Sequence, residues 1–322
     1  MKIRGISILL AALGMAVIIC GACPQNRAKK VCRSKVVTIQ SHRKNVRRKA
    51  KRRLKRRPCR RRIKQAAKKQ NPSKAKAQEP SISNMEKIED RQYVEARLKS
   101  ALNADNVNQL MKLVDDYNRV AAPYLTADFA KNGTPTYDVG KITEAQSKKG
   151  MEYPNTNCRI TTYLLLKNDM EVSENIEEDG ELLFMDKEAL GRIRLLDEKE
   201  TANFNRLFSR VKTDGSKDPA HQGKTMEKFL SQMTFSGKAS MVSVVLHDNL
   251  DGNYLFIGHV GVLVKDGSGY LFVEKISFEE PYQAIRFQSK EACYRYLKNR
   301  YRDYTDPNVA PPFIMENNRY VG

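Results

Sequence analysis

A cysteine, a histidine and an acid set along a chain in that order can do nucleophilic chemistry. Here they are Cys158, His259 and Glu274. Cys158 stands in MEYPNTNCRITTYLLLK, where Pro154 and the asparagines stop any earlier helix and a new one starts near the cysteine. Backbone N–H groups and the dipole at a helix N-terminus favour thiolate, the reactive form. Arg159 would add to this if its side chain turned toward the sulfur. His259 lies on a strand in GHVG, where glycines on both sides let another element approach the ring. Glu274, in FVEK, falls on the next strand, from which it can orient the imidazole. A negative acid there holds the ring as imidazolium, which favours a thiolate–imidazolium pair. Asn155, Asn157 and Tyr153 are candidate oxyanion or positioning donors, with loop and helix-cap duty as their other reading.

Taken singly, each residue has a plainer explanation. Buried free cysteine is common and usually inert. A lone histidine on a strand is more often a hydrogen-bonded core residue. His221 and His247 could join Cys158 and His259 in a zinc site, but no ligand pair has the local spacing of one. No metal and no cofactor is therefore expected.

The elements that must position these residues follow from periodicity. Helical spacing of apolar residues runs through 84–103 and 107–121. NGTPTYD reads as loop, 169–180 as acidic loop, and 186–212 as further short helices. The period changes to sheet after residue 240. SMVSVVLH, YLFIGHVGVLV and YLFVEKIS read as strands separated by turns, and PYQAIRF can continue the sheet. SKEACYRYLKNRY, 289–301, reads as a closing amphipathic helix with Cys293 in the core. Helices first and antiparallel strands last make an α+β plan.

Charge divides the chain more sharply than structure does. Of 58 Lys and Arg residues, 26 fall in residues 1–78, which hold no acid; 32 remain after that against 37 Asp and Glu. The part from residue 79 onward is thus mildly acidic, and the basic balance gives no ground for sequence-specific nucleic-acid recognition by it. Lys2 and Arg4 precede ISILLAALGMAVIICGAC, the pattern of a signal peptide or membrane anchor over 1–23. Gly21, Ala22 and Cys23 resemble the end of a bacterial lipobox, which makes Cys23 the candidate lipidation site. Residues 24–83 read as a basic disordered tail, since charge repulsion with few apolar residues leaves nothing to offset ordering entropy. Residues 84–322 read as a single α+β domain. Four of the six cysteines precede it, so no disulfide framework is implied. The leader places the domain outside the cytoplasm, anchored or secreted. The basic flank after the apolar run supports the alternative, an uncleaved anchor with the domain on the cytoplasmic face.

A cysteine at a helix start, then H-x-G-hydrophobic on a strand, then a polar residue on the next strand, resembles NlpC-type and papain-like cysteine hydrolases over about 153–277. The resemblance implies a papain-like fold, with Cys158 as nucleophile, His259 as base and Glu274 orienting it. It implies a peptide or amide substrate, with cell-wall peptide as the analogy. NCRIT, GHVGVL, FVEK and EPYQAI also resemble a bacterial lipoprotein family known as domain-of-unknown-function family 4300, over most of 84–322. That family names no activity, so a non-catalytic surface lipoprotein or binding module stands beside the hydrolase reading.

Residues 27–78 carry 24 positive charges and no acid. They are expected to bind anionic polymers or a membrane surface by charge, with steep salt dependence from counterion release. Titration of the isolated segment against an anionic polymer at low and high salt checks this. Binding that stays flat across the salt range would contradict it.

Overall fold

The computed structural model describes residues 80–131, 133–151 and 155–322. The leader with Cys23, the basic segment 27–78 and Tyr153 lie outside the described residues.

Two helices open the domain, α1 (Ile88–Lys99) and α2 (Ala104–Ala121). Asn103 caps α2 by accepting the Asp105 and Asn106 N–H groups at 2.9 and 3.2 Å. Helix α3 (Val139–Lys148), capped by Asp138, follows the expected loop. Then comes α4 (Cys158–Leu166), with all its residues buried, as the apolar run CRITTYLLL requires. Helices α5 (Phe184–Ile193) and α6 (Glu198–Leu207) occupy the stretch expected to hold short helices. Asp197 and Glu200 close a capping box on α6. Helix α7 (Pro219–Leu230) starts on Asp218, with Pro219 in the first turn, where a missing N–H costs nothing.

The sheet strands are β1 (Ser81–Ser83), β3 (Val211–Lys212), β5 (Ser240–Asp248), β6 (Tyr254–Asp266), β7 (Gly269–Lys275), β8 (Tyr282–Phe287), β9 (Phe313–Glu316) and β10 (Arg319–Tyr320). They join in the order β1-β8-β7-β6-β5-β9-β10, with β3 also on β6, and every pairing is antiparallel. Strands β2 (Met170–Val172) and β4 (Met233–Phe235) form a separate pair. The plan is α+β, helices first and antiparallel sheet last.

Three local expectations change. Ser81–Ser83 pair with β8 through Ile82 opposite Ile285, so the sheet begins inside the stretch assigned to the basic tail. Met170–Val172 is a strand within the expected acidic loop. The segments at 313–316 and 319–320 complete the sheet beyond the expected closing helix. Each strand is four residues or fewer, too short for alternation to show.

The sheet separates two apolar clusters. Ile257, Val260, Val262, Val264, Leu271 and Val273 pack with α2 and α4. Val244, Leu263, Phe272 and Ile285 pack with Cys293, Leu297 and Tyr301 of α8 (Lys290–Tyr301). A β-bulge in β6 fits the strand to both. Val244 faces His259 while Val245 faces Ile257, so Gly258 is the extra residue. The bulge turns His259 away from the face that carries Leu255 and Ile257. Next to it the β6–β7 ladder stops at Val262 opposite Val273. Strand β7 runs on alone with β8, Glu274 opposite Gln283 and Lys275 opposite Tyr282. The end of that ladder is where polar residues enter the core.

Gly261 marks the tightest point of this region. A Cβ there would lie 2.3 Å from Phe272 Cζ and 2.8 Å from the Val273 carbonyl oxygen. Gly261→Ala is expected to lower unfolding free energy by about 1–3 kcal/mol through overpacking. Gly191→Ala on α5, where a Cβ meets nothing within 4 Å, should raise it by about 0.4–1 kcal/mol. Urea denaturation of the two variants measures both signs.

Candidate active site

Asn157 starts helix α4. Its Oδ1 accepts the Ile160 N–H at 3.0 Å and its Nδ2 donates to Asp186 Oδ1 at 2.8 Å. Cys158 is therefore the first residue of the helix, beside the positive end of the dipole. Arg159 turns to Asp186 on α5, donating from Nε to Oδ1 at 3.0 Å and from Nη2 to Oδ2 at 2.8 Å. Its Nη1 reaches the Ile257 carbonyl at 3.3 Å. This bidentate pair ties the helix start to α5 and to strand β6. The guanidinium is thus held by Asp186, yet its charge still favours the Cys158 thiolate.

His259 Nε2 is hydrogen-bonded to Glu274 Oε2 across the end of the β6–β7 ladder. The Cys158 thiol and the His259 ring are close enough to bias each other's protonation. Nε2 is engaged with Glu274, which leaves Nδ1 for the sulfur. The ring stacks on Tyr301 of α8, centroids 4.9 Å apart and planes at 22°. Sulfur, imidazole and carboxylate thus share one site, placed by α4, β6 and β7 and backed by α8.

The groups bias one another's charge. Burial pushes the Cys158 thiol up, but the His259 charge and hydrogen bond, with Arg159 behind them, bring it below the ordinary thiol value. Burial works against a charged His259, but Glu274 and Cys158 raise it to about 9. Burial also pushes the Glu274 carboxyl up, while His259 and then Arg300 hold it below the usual range. All three favour thiolate, imidazolium and carboxylate near neutral pH. Cys293 is different. Burial, with Glu274 and Glu316 nearby, pushes its thiol well above the ordinary value.

A family model described as domain of unknown function (DUF4300) matches residues 81–321. The chain belongs to that family. No curated protein and no solved structure matches it.

The remaining candidates of this DUF4300 domain are placed as follows. Asn155 Oδ1 accepts the N–H of Thr156, and both ends of the Asn157 amide are occupied. These side chains brace the turn and cap the helix, and the Asn157 Nδ2 donor is committed to Asp186. Thr156 Oγ1 pairs with Tyr282 Oη at 2.6 Å, which ties the same turn to β8. His221 binds Asp214 at 2.8 Å, and His247 accepts the Ala310 N–H at 3.0 Å. Neither joins Cys158, and among the described residues no acid, histidine and cysteine group has the layout of a metal site. No described helix is long and apolar enough to cross a membrane.

Sequence reasoning missed Asp186, Arg300, Tyr301 and Lys275. The first lies on a helix with weak periodicity, and nothing local pairs it with Arg159. Lys275 is fully buried against the Tyr117 and Tyr282 rings, 4.1 and 5.1 Å from their centroids. Burial lowers its pKa to about 7 against the pull of Glu279 and Glu280. A buried lysine next to a buried glutamate on one strand gives no alternation signal, because both faces of β7 are covered.

Asp186 is the residue on which this site's framework rests. Asp186→Ala leaves Arg159 buried without its partner and frees the Asn157 amide. It should cost about 3–5 kcal/mol of stability. Glu144→Ala, which removes an exposed, solvent-screened partner of Lys148 on α3, should leave stability essentially unchanged. Equilibrium urea unfolding of the two variants tests the contrast.

Proposed function

We propose that this domain is a cysteine hydrolase acting on an amide or peptide bond. The observation that carries the reading is the buried His259–Glu274 pair, with Cys158 at a helix N-terminus electrostatically coupled to the same imidazole. Helices followed by an antiparallel sheet, with the nucleophile on a helix and the base on a strand, also fit a papain-like arrangement of the NlpC type. The leader and Cys23 support an extracytoplasmic, membrane-anchored or secreted enzyme, for which cell-wall peptide is the substrate suggested by analogy. The basic segment 27–78 would hold it to an anionic polymer or membrane surface.

The proposed cycle uses only these groups. The Cys158 thiolate attacks the carbonyl carbon, and the tetrahedral oxyanion is stabilised by backbone N–H groups at the start of α4. The C–N bond breaks as His259 Nδ1 gives its proton to the leaving amine, leaving a thioester on Cys158. His259 then takes a proton from water. The resulting hydroxide attacks the thioester, and the C–S bond breaks to release acid and thiolate. Glu274 keeps Nε2 protonated and the ring in place throughout.

Burial favours a second reading, a binding module in which the same three residues are a polar core element. Cys158 is 6% exposed, His259 2% and Glu274 0%. The surface cavity of about 900 Å³ lined by Glu178, Asp179, Lys187, Arg210 and Tyr254 does not include them.

Thiol chemistry separates the two readings. Iodoacetamide should modify Cys158 at least roughly tenfold faster than Cys293 in the folded domain at pH 7, with a midpoint below the ordinary thiol value of about 8.5. His259→Ala should raise that midpoint and slow labelling. The sign for turnover follows from the two groups. Activity is lost at low pH as the Cys158 thiolate protonates. It is lost again above about pH 9 as His259 gives up the proton it must donate. Alkylation, which needs only thiolate, continues through that upper limb. A Cys158 that stays unreactive while folded, or indifferent to the loss of His259, leaves the binding-module reading.

A further inference from the structure

Counting charge around the sulfur leaves a remainder. Thiolate, imidazolium and carboxylate sum to −1, in a place where none of the three residues is more than 6% exposed. The Arg159–Asp186 pair is internally neutral and contributes nothing to the sum. Lys275, which burial lowers to a pKa of about 7, is only partly charged near neutral pH, and what charge it carries faces Glu279 and Glu280 first. Glu274 itself shows where the balance is made. Its Oε2 binds His259, while its Oε1 is buried with no hydrogen bond among the described residues. Arg300 of α8 sits opposite that oxygen, Nη1 to Oε1 3.8 Å. The same Nη1 donates to Tyr296 Oη, one helical turn earlier, at 2.9 Å. Tyr301, the next residue, carries the ring against which His259 stacks.

We infer that Arg300 is the fourth member of the site, a positioning residue that neutralises Glu274 from behind and so allows the Cys158–His259 pair to exist as thiolate and imidazolium. The inference rests on the hydrolase reading of Cys158 and His259 and adds the regulation of its charge state. Other titratable groups around Glu274 do not supply the missing charge. Tyr137, Tyr296, Tyr301 and Cys293 all lie in its field, and each is neutral at working pH, pushed up chiefly by burial. Among the described residues, Arg300 is the permanent cation against the carboxylate. Burial works against its charge, and Glu274, with Tyr301 and Tyr296, more than restores it. Without it, an ionised Glu274 and an ionised Cys158 share one imidazolium, and the site sheds the excess by protonating the sulfur.

The test is the pH profile of Cys158 alkylation in the full chain, read by mass spectrometry of the Cys158 peptide. Arg300→Gln should move the midpoint upward by one to two pH units, a roughly tenfold to hundredfold loss of thiolate at pH 7. Arg300→Lys should recover most of it, because it restores charge without the guanidinium shape. Glu274→Gln removes the group through which Arg300 acts. In that background Arg300→Gln should leave the midpoint where Glu274→Gln sets it, an outcome that a merely structural arginine would not give. If Arg300→Gln does not fold, Tyr296→Phe releases the guanidinium with the ring packing kept and should shift the midpoint in the same direction by less. A low wild-type midpoint that neither Arg300→Gln nor Tyr296→Phe moves overturns the role of Arg300 and leaves the hydrolase reading standing. An ordinary thiol midpoint in the wild type overturns both.

Discussion

Glu274 has no contact with water, and a carboxylate so placed stays ionised only with positive charge held against it. His259 supplies that charge at one oxygen and Arg300 faces the other. The geometry of the whole sheet edge follows from this requirement. The β6–β7 ladder has to end at Val262 and Val273, so that a side chain on each strand can meet its neighbour where the next backbone pairing would otherwise lie. The Gly258 bulge has to turn His259 off the apolar face. Helix α8 has to close over the result with a flat ring at Tyr301. An apolar pair at 259 and 274 would pack here with no such devices and would be as stable or more so, since buried ion pairs seldom repay their desolvation. The cost falls on folding, and the result is a polarised imidazole that acts on the charge of the Cys158 thiol.

A second buried pair performs a different task in the same layer. Arg159 and Asp186 hold the start of α4 against α5, and the Ile257 carbonyl draws β6 into the same knot. Asn157 joins it through its amide and caps the helix with its carbonyl oxygen. The residues on both sides of Cys158 are therefore fixed by groups outside the helix, and the sulfur's position does not depend on the torsional preferences of a short helix. Side-chain precision near a reacting atom usually comes from such supporting contacts. Here one carboxylate serves the residue before the cysteine and the residue after it.

The long-range skeleton was legible because it rests on period. The strands at 240–248, 254–266 and 269–275, the buried helix after Asn157, and the helix at 290–301 each show enough residues for a 2.0 or 3.6 repeat to emerge. The Glu274–His259 contact was legible for the same reason: a short turn between two long strands leaves few registers. What stayed hidden was pairing between elements with no fixed register. Arg159 and Asp186 are 27 positions apart on two different helices, and no spacing rule joins them. Arg300 stands seven positions after Cys293 and three after Leu297, so helical period sets it at the edge of the buried stripe, and its charge is what makes it read as a residue reaching out to solvent. Its partner, Glu274, lies on a strand 26 positions earlier, and no spacing rule joins the two. Strands β1 and β9 went unseen because their residues are few and their partners far off in sequence.

The two described cysteines show how little burial by itself decides. Both are free and both are buried. Each belongs to a helix packed on the same sheet, and neither is exposed enough for solvent to set its pKa. Yet one thiol is moved down and the other well up. The difference lies in the sign of what each faces. Cys293, four residues into α8 by its Ser289 cap, looks toward Glu274 and Glu316, so desolvation and charge act together against a thiolate. Cys158 opens its helix, where the dipole is positive, and looks toward His259 with Arg159 behind. Desolvation there strengthens each of those attractions by the same low dielectric that penalises the bare ion. A site this dry works only when the surrounding charges sum to nearly zero, and Glu274 with Arg300 behind it provides the means of making them do so.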